Sequence, residues 1–431
     1  MLPRARYIRH VPHLPAIALS LVLVLATTML ASASPNLLQI SSDPYTAPGT
    51  NPRSEVEPDT FAFGSTIVSA FQVGRIYNGG AANIGFATST NGGTTWTSGF
   101  LPATTPYASP AGHVYARVSD PSVAYDARHA VWLVSYLGLF PNGTAAVDVL
   151  VSRSVDGLTW SSPVVINNDG HFNDKNWTTC DNTASSPFYG HCYTEYDDNT
   201  RHDLIQMSTS ADGGLTWGAG QSTQNNDHGL GGQPVVQPNG NVVVTIMGFS
   251  GSGFLTLAFT SSDGGASWGK TTIVAKIASH TPAGGIRADF PLPTSEVDAA
   301  GRVYVVWSDC TFEPNCGSND LVLSTSTDGL NWSAITRLPL DPIGSGVDHF
   351  IPGLGVDRTT SGSSAHLAVA FYDYPVANCT TATCRLFAGA ATSADGGATW
   401  TATTQLAGPM ALTWLPKTTQ GYMVGDYLSA S

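Results

Sequence analysis

Short, partly alternating apolar stretches recur along the chain, as in Asn83-Ile-Gly-Phe-Ala-Thr88, Val147-Asp-Val-Leu-Val151, Leu204-Ile-Gln-Met207 and Leu321-Val-Leu323. Their length and patterning predict β-strands, because a period of two turns one face of a strand inward. A polar box ending in tryptophan follows each unit. The boxes run from Ser89 to Trp96, Ser154 to Trp160, Ser210 to Trp217, Ser261 to Trp268, Ser326 to Trp332 and Ser393 to Trp400. Two residues after each serine stands Asn91, Asp156, Asp212, Asp263, Asp328 or Asp395, with one or two glycines next. Asp and Asn accept hydrogen bonds from nearby backbone N–H groups and Gly supplies positive φ, so each box reads as a tight turn within a sheet. The tryptophans recur at intervals of 64, 57, 51, 64 and 68 residues, which makes the chain a six-fold repeat.

A second repeat lies out of phase with the first. A polar residue, often followed by Pro, opens a strand at Glu57-Pro58, Asp120-Pro121, Asp174-Lys175, Gln233-Pro234, Phe290-Pro291 and His349 before Ile351-Pro352. The strand that pairs with it carries an aromatic at Phe71, Tyr136, Tyr196, Trp307 or Tyr372. Each unit thus holds about four strands, the content of one propeller blade. The box resembles the Asp-box, or BNR repeat, of the sialidase superfamily. That resemblance implies an all-β fold, a β-propeller of four-stranded antiparallel blades over residues 55–431, preceded by an N-terminal extension at 34–54. Six blades are the family expectation and seven the alternative. A further opening at Val424-Gly425-Asp426-Tyr427 either closes the ring or starts a strand that the sequence cuts short.

Composition narrows the function. Charged residues make up 11% of the 431, with 45 Gly and 27 Pro, so the polar surface comes from Ser, Thr, Asn and Gly. A net charge of −13 speaks against nucleic acid as a partner, since phosphate binding needs clustered Lys and Arg. Arg4, Arg6 and Arg9 precede an apolar run from Ala16 to Leu30, closed by Ala31-Ser32-Ala33. This is the pattern of a signal peptide over 1–33. The run is shorter than the roughly 20 residues a bilayer requires, so a secreted chain without a membrane span is expected. Its loss removes three arginines and no acid, taking the net charge from −13 to −16. In an oxidising compartment the six cysteines read as local disulfides, Cys180 with Cys192, Cys310 with Cys316 and Cys379 with Cys384, although six cysteines permit 15 pairings. Zinc is the weaker alternative, and no metal or cofactor is expected. Sequons at Asn142, Asn176, Asn331 and Asn378 suggest exposed loops.

In a propeller the strand openings aim several units' side chains at one channel, where a site can form. The sialidase resemblance implies three arginines on the sugar carboxylate, a Tyr activated by Glu as nucleophile, and an Asp as acid/base. The candidate catalytic residues are Asp120, Asp174, Glu296 and Tyr427, and the candidate substrate-binding residues are Arg287, Lys175 and His349. Arg287 stands just before a strand opening, Lys175 precedes Trp177, and Tyr427 adjoins Asp426. Each also has a plainer reading. Asp120 and Asp174 suit strand-end caps, Arg287 suits a pair with Asp289, and Trp177 and His349 suit a core. The family's early Arg-Ile-Pro string is absent. Its nearest match, Arg75-Ile76-Tyr77, falls in the strand that leads to the first box. The expected activity is that of a monomeric glycoside hydrolase resembling an exo-α-sialidase, acting on terminal acidic sugars of extracellular glycans. A non-catalytic propeller that binds glycan or protein is the alternative. Hydrolysis of neutral polysaccharide is a third possibility that needs paired carboxylates, for which Asp120 and Asp174 stand.

Overall fold

The computed structural model describes residues 37–109, 113–141, 145–251 and 253–431. The expected signal peptide and the sequon at Asn142 lie outside them. The chain is all-β, its helical content among the described residues being single 3-10 turns. The first module is β1 (Glu55–Phe63), β2 (Thr66–Arg75), β3 (Ala81–Ser89) and β4 (Thr97–Phe100). The second is β5 (Arg117–Asp126), β6 (Val131–Leu139), β7 (Val147–Ser154) and β8 (Val164–Asn167), and an Ala81–Val118 pairing joins the two. The third is β9 (Asn173–Cys180), β10 (Cys192–Asp198) and β11 (Leu204–Ser210), with a Met207–Gln221 bridge in place of a fourth strand. The fourth is β12 (Gly229–Val236), β13 (Val242–Ser250), β14 (Gly253–Ser261) and β15 (Thr272–Ile277). The fifth is β16 (Thr294–Val297), β17 (Val303–Asp309), β18 (Asp320–Ser326) and β19 (Thr336–Arg337). The sixth is β20 (Asp348–Val356), β21 (Leu367–Tyr374), β22 (Arg385–Ser393) and β23 (Thr404–Ala411), followed by the hairpin β24 (Lys417–Thr418) and β25 (Gly421–Tyr422). Every ladder is antiparallel and each module is a meander.

Successive modules stack through their first strands, β1 on β5, β5 on β9, β9 on β12, β12 on β16 and β16 on β20. Because each sheet is covered on both faces, its inner strands are buried on both sides instead of alternating between buried and exposed. β3 is buried along its whole length. The cores accordingly lie between modules. Val68, Ile84 and Phe86 pack on Trp132, Tyr136 and Leu150, and Tyr304 and Leu321 pack on Leu354 and Phe371. The tail after β25 runs between β20 and β1. Thr60 N–H donates to Ser429 Oγ (2.7 Å) and Glu57 N–H to the Val424 carbonyl (3.3 Å). On the other side, a Cβ added at Gly353 would come within 2.5 Å of the Leu428 carbonyl oxygen, so only glycine allows this approach.

All three cysteine pairs expected from sequence are joined. Of the described sequons, Asn331 and Asn378 are exposed, but Asn176 is buried in β9 with its amide on Ser135 Oγ (3.0 Å), so the loop expectation fails there. The boxes form the expected turns. In the third, Ser210 Oγ donates to Asp212 Oδ1 (2.9 Å), which also accepts from the N–H groups of Leu215 and Thr216. Asn91 plays the same part in the first box, accepting from Thr95 N–H (2.9 Å). Burial of the box tryptophans is unequal. Trp268 is 4% exposed and meets Tyr193 and Phe259 edge-on, whereas Trp217 is half-buried. Trp268→Ala is therefore expected to cost about 3–5 kcal/mol in urea denaturation, and Trp217→Ala clearly less. Equal costs, or loss of ligand binding with an unmoved midpoint, would contradict a structural role graded by burial.

The first strands share one device that shapes the channel. The β1, β5, β9, β12 and β20 ladders each contain a register shift, at Glu57, Asp120, Lys175, Gly231 and Ile351. All five residues have left-handed φ, between 48° and 69°. Such bulges re-aim a side chain that would otherwise follow the pleat, and left-handed φ at four non-glycine residues is strain of the kind that clusters at functional sites.

Candidate active site

Three of those bulges bring Glu57, Asp120 and Lys175 to one place. Lys175 Nζ lies 3.2 Å from Asp120 Oδ2 and 3.9 Å from Glu57 Oε1, and it also bonds Asp426 Oδ2 from the tail. Arg287 Nη2 donates to the same Asp426 oxygen. The segment that carries Arg287 is pinned by its own N–H on the Tyr422 carbonyl (2.7 Å). Arg75, the last residue of β2, turns its guanidinium inward and donates from Nη1 to the Gly80 carbonyl (2.6 Å). Gln72 donates to Glu57 Oε2, and Asp426 N–H donates to Glu57 Oε1 (3.2 Å). Glu57, Arg75, Asp120, Asp174, Lys175 and Arg287 line a cavity of about 240 Å³. A larger cavity of about 700 Å³ sits at the outer edge of the sixth module beside Trp400. No comparable cluster of paired charges lines it, so the chemistry favours the smaller one.

Burial in this cluster shifts protonation strongly. It raises the Glu57 carboxyl to about 8, with the nearby Asp120 charge adding to the effect. It raises Asp174 to about 6. For Lys175, burial pulls downward, but Asp120, Asp426, Glu57 and Asp174 together outweigh it and hold the ammonium well above its ordinary value. Asp426 shows the reverse balance, since burial pushes up while Lys175 and Arg287 pull its carboxyl below the usual range. Behind the cavity, Glu195 and Asp197 are driven far up by burial, and neither oxygen of Asp197 has a hydrogen-bond partner among the described residues.

The structure therefore brings Asp120, Asp174, Lys175 and Arg287 together and leaves three expected residues elsewhere. Tyr427 does not line the 240 Å³ cavity; its buried hydroxyl donates to the Pro121 carbonyl (3.0 Å) and its ring meets Trp177. Glu296 pairs with Arg358 (2.9 Å) and faces a different cavity. His349 is buried against Phe371 beside Asp320 and Asp341. Three members of the cluster were not among the expected site residues, namely Glu57, Arg75 and Asp426. Glu57-Pro58 repeats the Asp120-Pro121 pattern and could have been found from it. Arg75 did carry a signal, the Arg75-Ile76-Tyr77 match, but the expectation that it falls in the strand leading to the first box is wrong: that strand is β3, whereas Arg75 ends β2, where the fold turns it into the cavity wall.

The profile of the BNR repeat-like domain matches residues 66–345, well over half of the chain. The chain belongs to the BNR repeat-like family. This places it in the sialidase superfamily, as the boxes suggested. Comparison with curated proteins gives no match. Among solved structures, a protein of unknown function from Dyadobacter fermentans is similar at 15% identity, with a TM-score of 0.50 over 79% of this chain and 94% of that one. A leech intramolecular trans-sialidase is similar at 12% identity and a TM-score of 0.50, covering 79% and 67%. A Hadza microbial sialidase shares 15% identity at a TM-score of 0.48; the chain spans 63% of its length, and 74% of this chain is covered. At these identities the likeness concerns the fold, which for this BNR-repeat protein is the β-propeller.

Proposed function

We propose that this BNR-repeat propeller is a secreted glycoside hydrolase that cleaves a terminal sugar from extracellular glycans in the 240 Å³ pocket. One observation carries the reading. Two buried carboxyl groups, Glu57 and Asp120, converge on Lys175 from neighbouring strands, Asp120 in an ion pair with its ammonium (3.2 Å) and Glu57 pushed by burial toward its protonated form. Glycoside hydrolysis asks for that division, with one acid protonating the departing oxygen and one carboxylate serving the opposite step. Glu57 donates the proton, while Asp120 or Asp174 activates the attacking water or stabilises the sugar cation. A small pocket suits an end residue better than a chain interior. An acidic terminal sugar, as an exo-α-sialidase would take, needs free cations; Arg75, Lys175 and Arg287 converge on the same pocket, but Lys175 and Arg287 are already paired with Asp426, so the reading stays with a terminal sugar.

Purified mature chain assayed against fluorogenic glycosides, both neutral ones and a sialoside, tests this. Turnover of at least one is expected, and Asp120→Asn should lower kcat by about 10²–10⁴. Absence of turnover on every glycoside, together with glycan binding that Asp120→Asn leaves intact, would move the reading to a non-catalytic lectin-like propeller.

A further inference from the structure

The cations on the pocket wall are already occupied from within the chain. Lys175 and Arg287 converge on a single oxygen, Oδ2 of Asp426, and Lys175 also holds Asp120. Arg75 spends its Nη1 hydrogen on the Gly80 carbonyl and sets Nε 3.0 Å from Met423 Sδ. Against these three basic groups stand four acidic ones, Glu57, Asp120, Asp174 and Asp426. Asp426 is also held in place. Its N–H is on Glu57, and its neighbours Met423, Val424, Tyr427 and Leu428 are buried. At Gly425 an added Cβ would come within 3.0 Å of Glu57 Cα, so the tail is pressed against β1 there. The carboxylate is thus fixed against two cations of the wall, Lys175 and Arg287, and holds the positions an incoming carboxylate would need if it were to use them.

We propose that Asp426 selects substrate charge: it fills the anion site formed by Lys175 and Arg287, so that the native pocket accepts an uncharged sugar and rejects an acidic one. The inference rests on the glycosidase reading only in taking the ligand to be a sugar. A ligand carboxylate entering the native pocket meets Lys175 and Arg287 already paired with Asp426 and faces Asp120 and Asp174, so repulsion and desolvation oppose it. Replacing Asp426 by its isostere Asn keeps the shape and the backbone hydrogen bond to Glu57. It frees Lys175 and Arg287 to make the charge-assisted contacts that bind carboxylates.

Acetate serves as the probe, since it carries the charge and asks nothing of the sugar-binding surface. Calorimetry should register no binding of acetate by the native chain. It should register binding by Asp426→Asn, about tenfold tighter or more than any native signal, and loss of that gain in Asp426→Asn/Arg287→Gln. A folded Asp426→Asn that ignores acetate overturns the proposal. So does a native chain that binds acetate in an Arg287-dependent way, and this second measurement decides the matter should the Asn variant not fold. Glycoside turnover is recorded separately, so failure of the hydrolase reading leaves the acetate result standing, and the reverse also holds.

Discussion

Glu57→Gln is expected to make the protein more stable at pH 8 while abolishing the hydrolysis proposed for the pocket. Burial and the Asp120 charge raise the Glu57 carboxyl from 4.5 to about 8 in the folded chain. The folded state therefore holds this proton more tightly than the unfolded state does. By linkage, the contribution of Glu57 to stability is complete below about pH 4.5 and is lost as pH rises through about 8. Each unit of difference corresponds to about 1.4 kcal/mol, so a loss on the order of 5 kcal/mol is spread over that window. Glutamine has no proton to lose. The variant should match the native chain near pH 4.5 and exceed it at pH 8, because Gln72 can turn its amide to meet the new one. Asp59, raised to about 7, and Asp174, raised to about 6, are present in both proteins, so most of their pH dependence cancels in the comparison. Urea midpoints at the two pH values, measured beside turnover, separate the outcomes. A variant less stable at pH 8 removes the strained-acid interpretation, and a stable variant with undiminished kcat removes Glu57 as proton donor.

Which parts of the molecule were legible in sequence follows from how local their logic is. The boxes were legible because their logic is local. Ser, Asp or Asn, Gly and Trp within eight residues build a turn without reference to the rest of the chain. The strand openings were half legible. Asp120, Asp174 and Lys175 stood out as polar residues at the head of apolar strands, and the fold does bring them together. In the fourth module, however, the bulge falls at Gly231, two residues before the Gln233-Pro234 opening, and in the sixth it falls at Ile351 and not at His349. One residue of register decides which face a side chain takes, and His349 accordingly ends in the core. Asp426 was visible beside Tyr427, but its partners Lys175 and Arg287 lie 251 and 139 residues away in sequence. No local pattern encodes such a pairing. Glu296 drew notice because glutamates are scarce, and scarcity carries no geometry.

The charge cluster around Lys175 is also expected to hold the inner strands together, and Lys175→Met tests that. Lys175 is 6% exposed and ties β9 to Asp120 on β5, to Glu57 on β1 and to Asp426 on the tail. Three segments distant in sequence thus meet on one ammonium. Methionine fills similar volume without charge, so the change removes the cation and leaves buried carboxylates facing one another. Breaking a buried ion pair from one side typically costs about 3–5 kcal/mol, because the remaining charge is left uncompensated. The pH dependence has a definite sign. Asp426 is held below the usual carboxylate range by Lys175 and Arg287, so its stabilising contribution is present above the ordinary Asp value of 3.8 and fades as pH falls below it. The deficit of Lys175→Met should therefore be largest at neutral pH and narrow on acidification. Adding Asp426→Asn to Lys175→Met should restore part of the loss, since the orphaned charge is then gone, giving a coupling of about 0.5–3 kcal/mol. A Lys175→Met protein within about 0.5 kcal/mol of the native chain at pH 7 would place the charge cluster in an open, water-screened channel, where ion pairs contribute little.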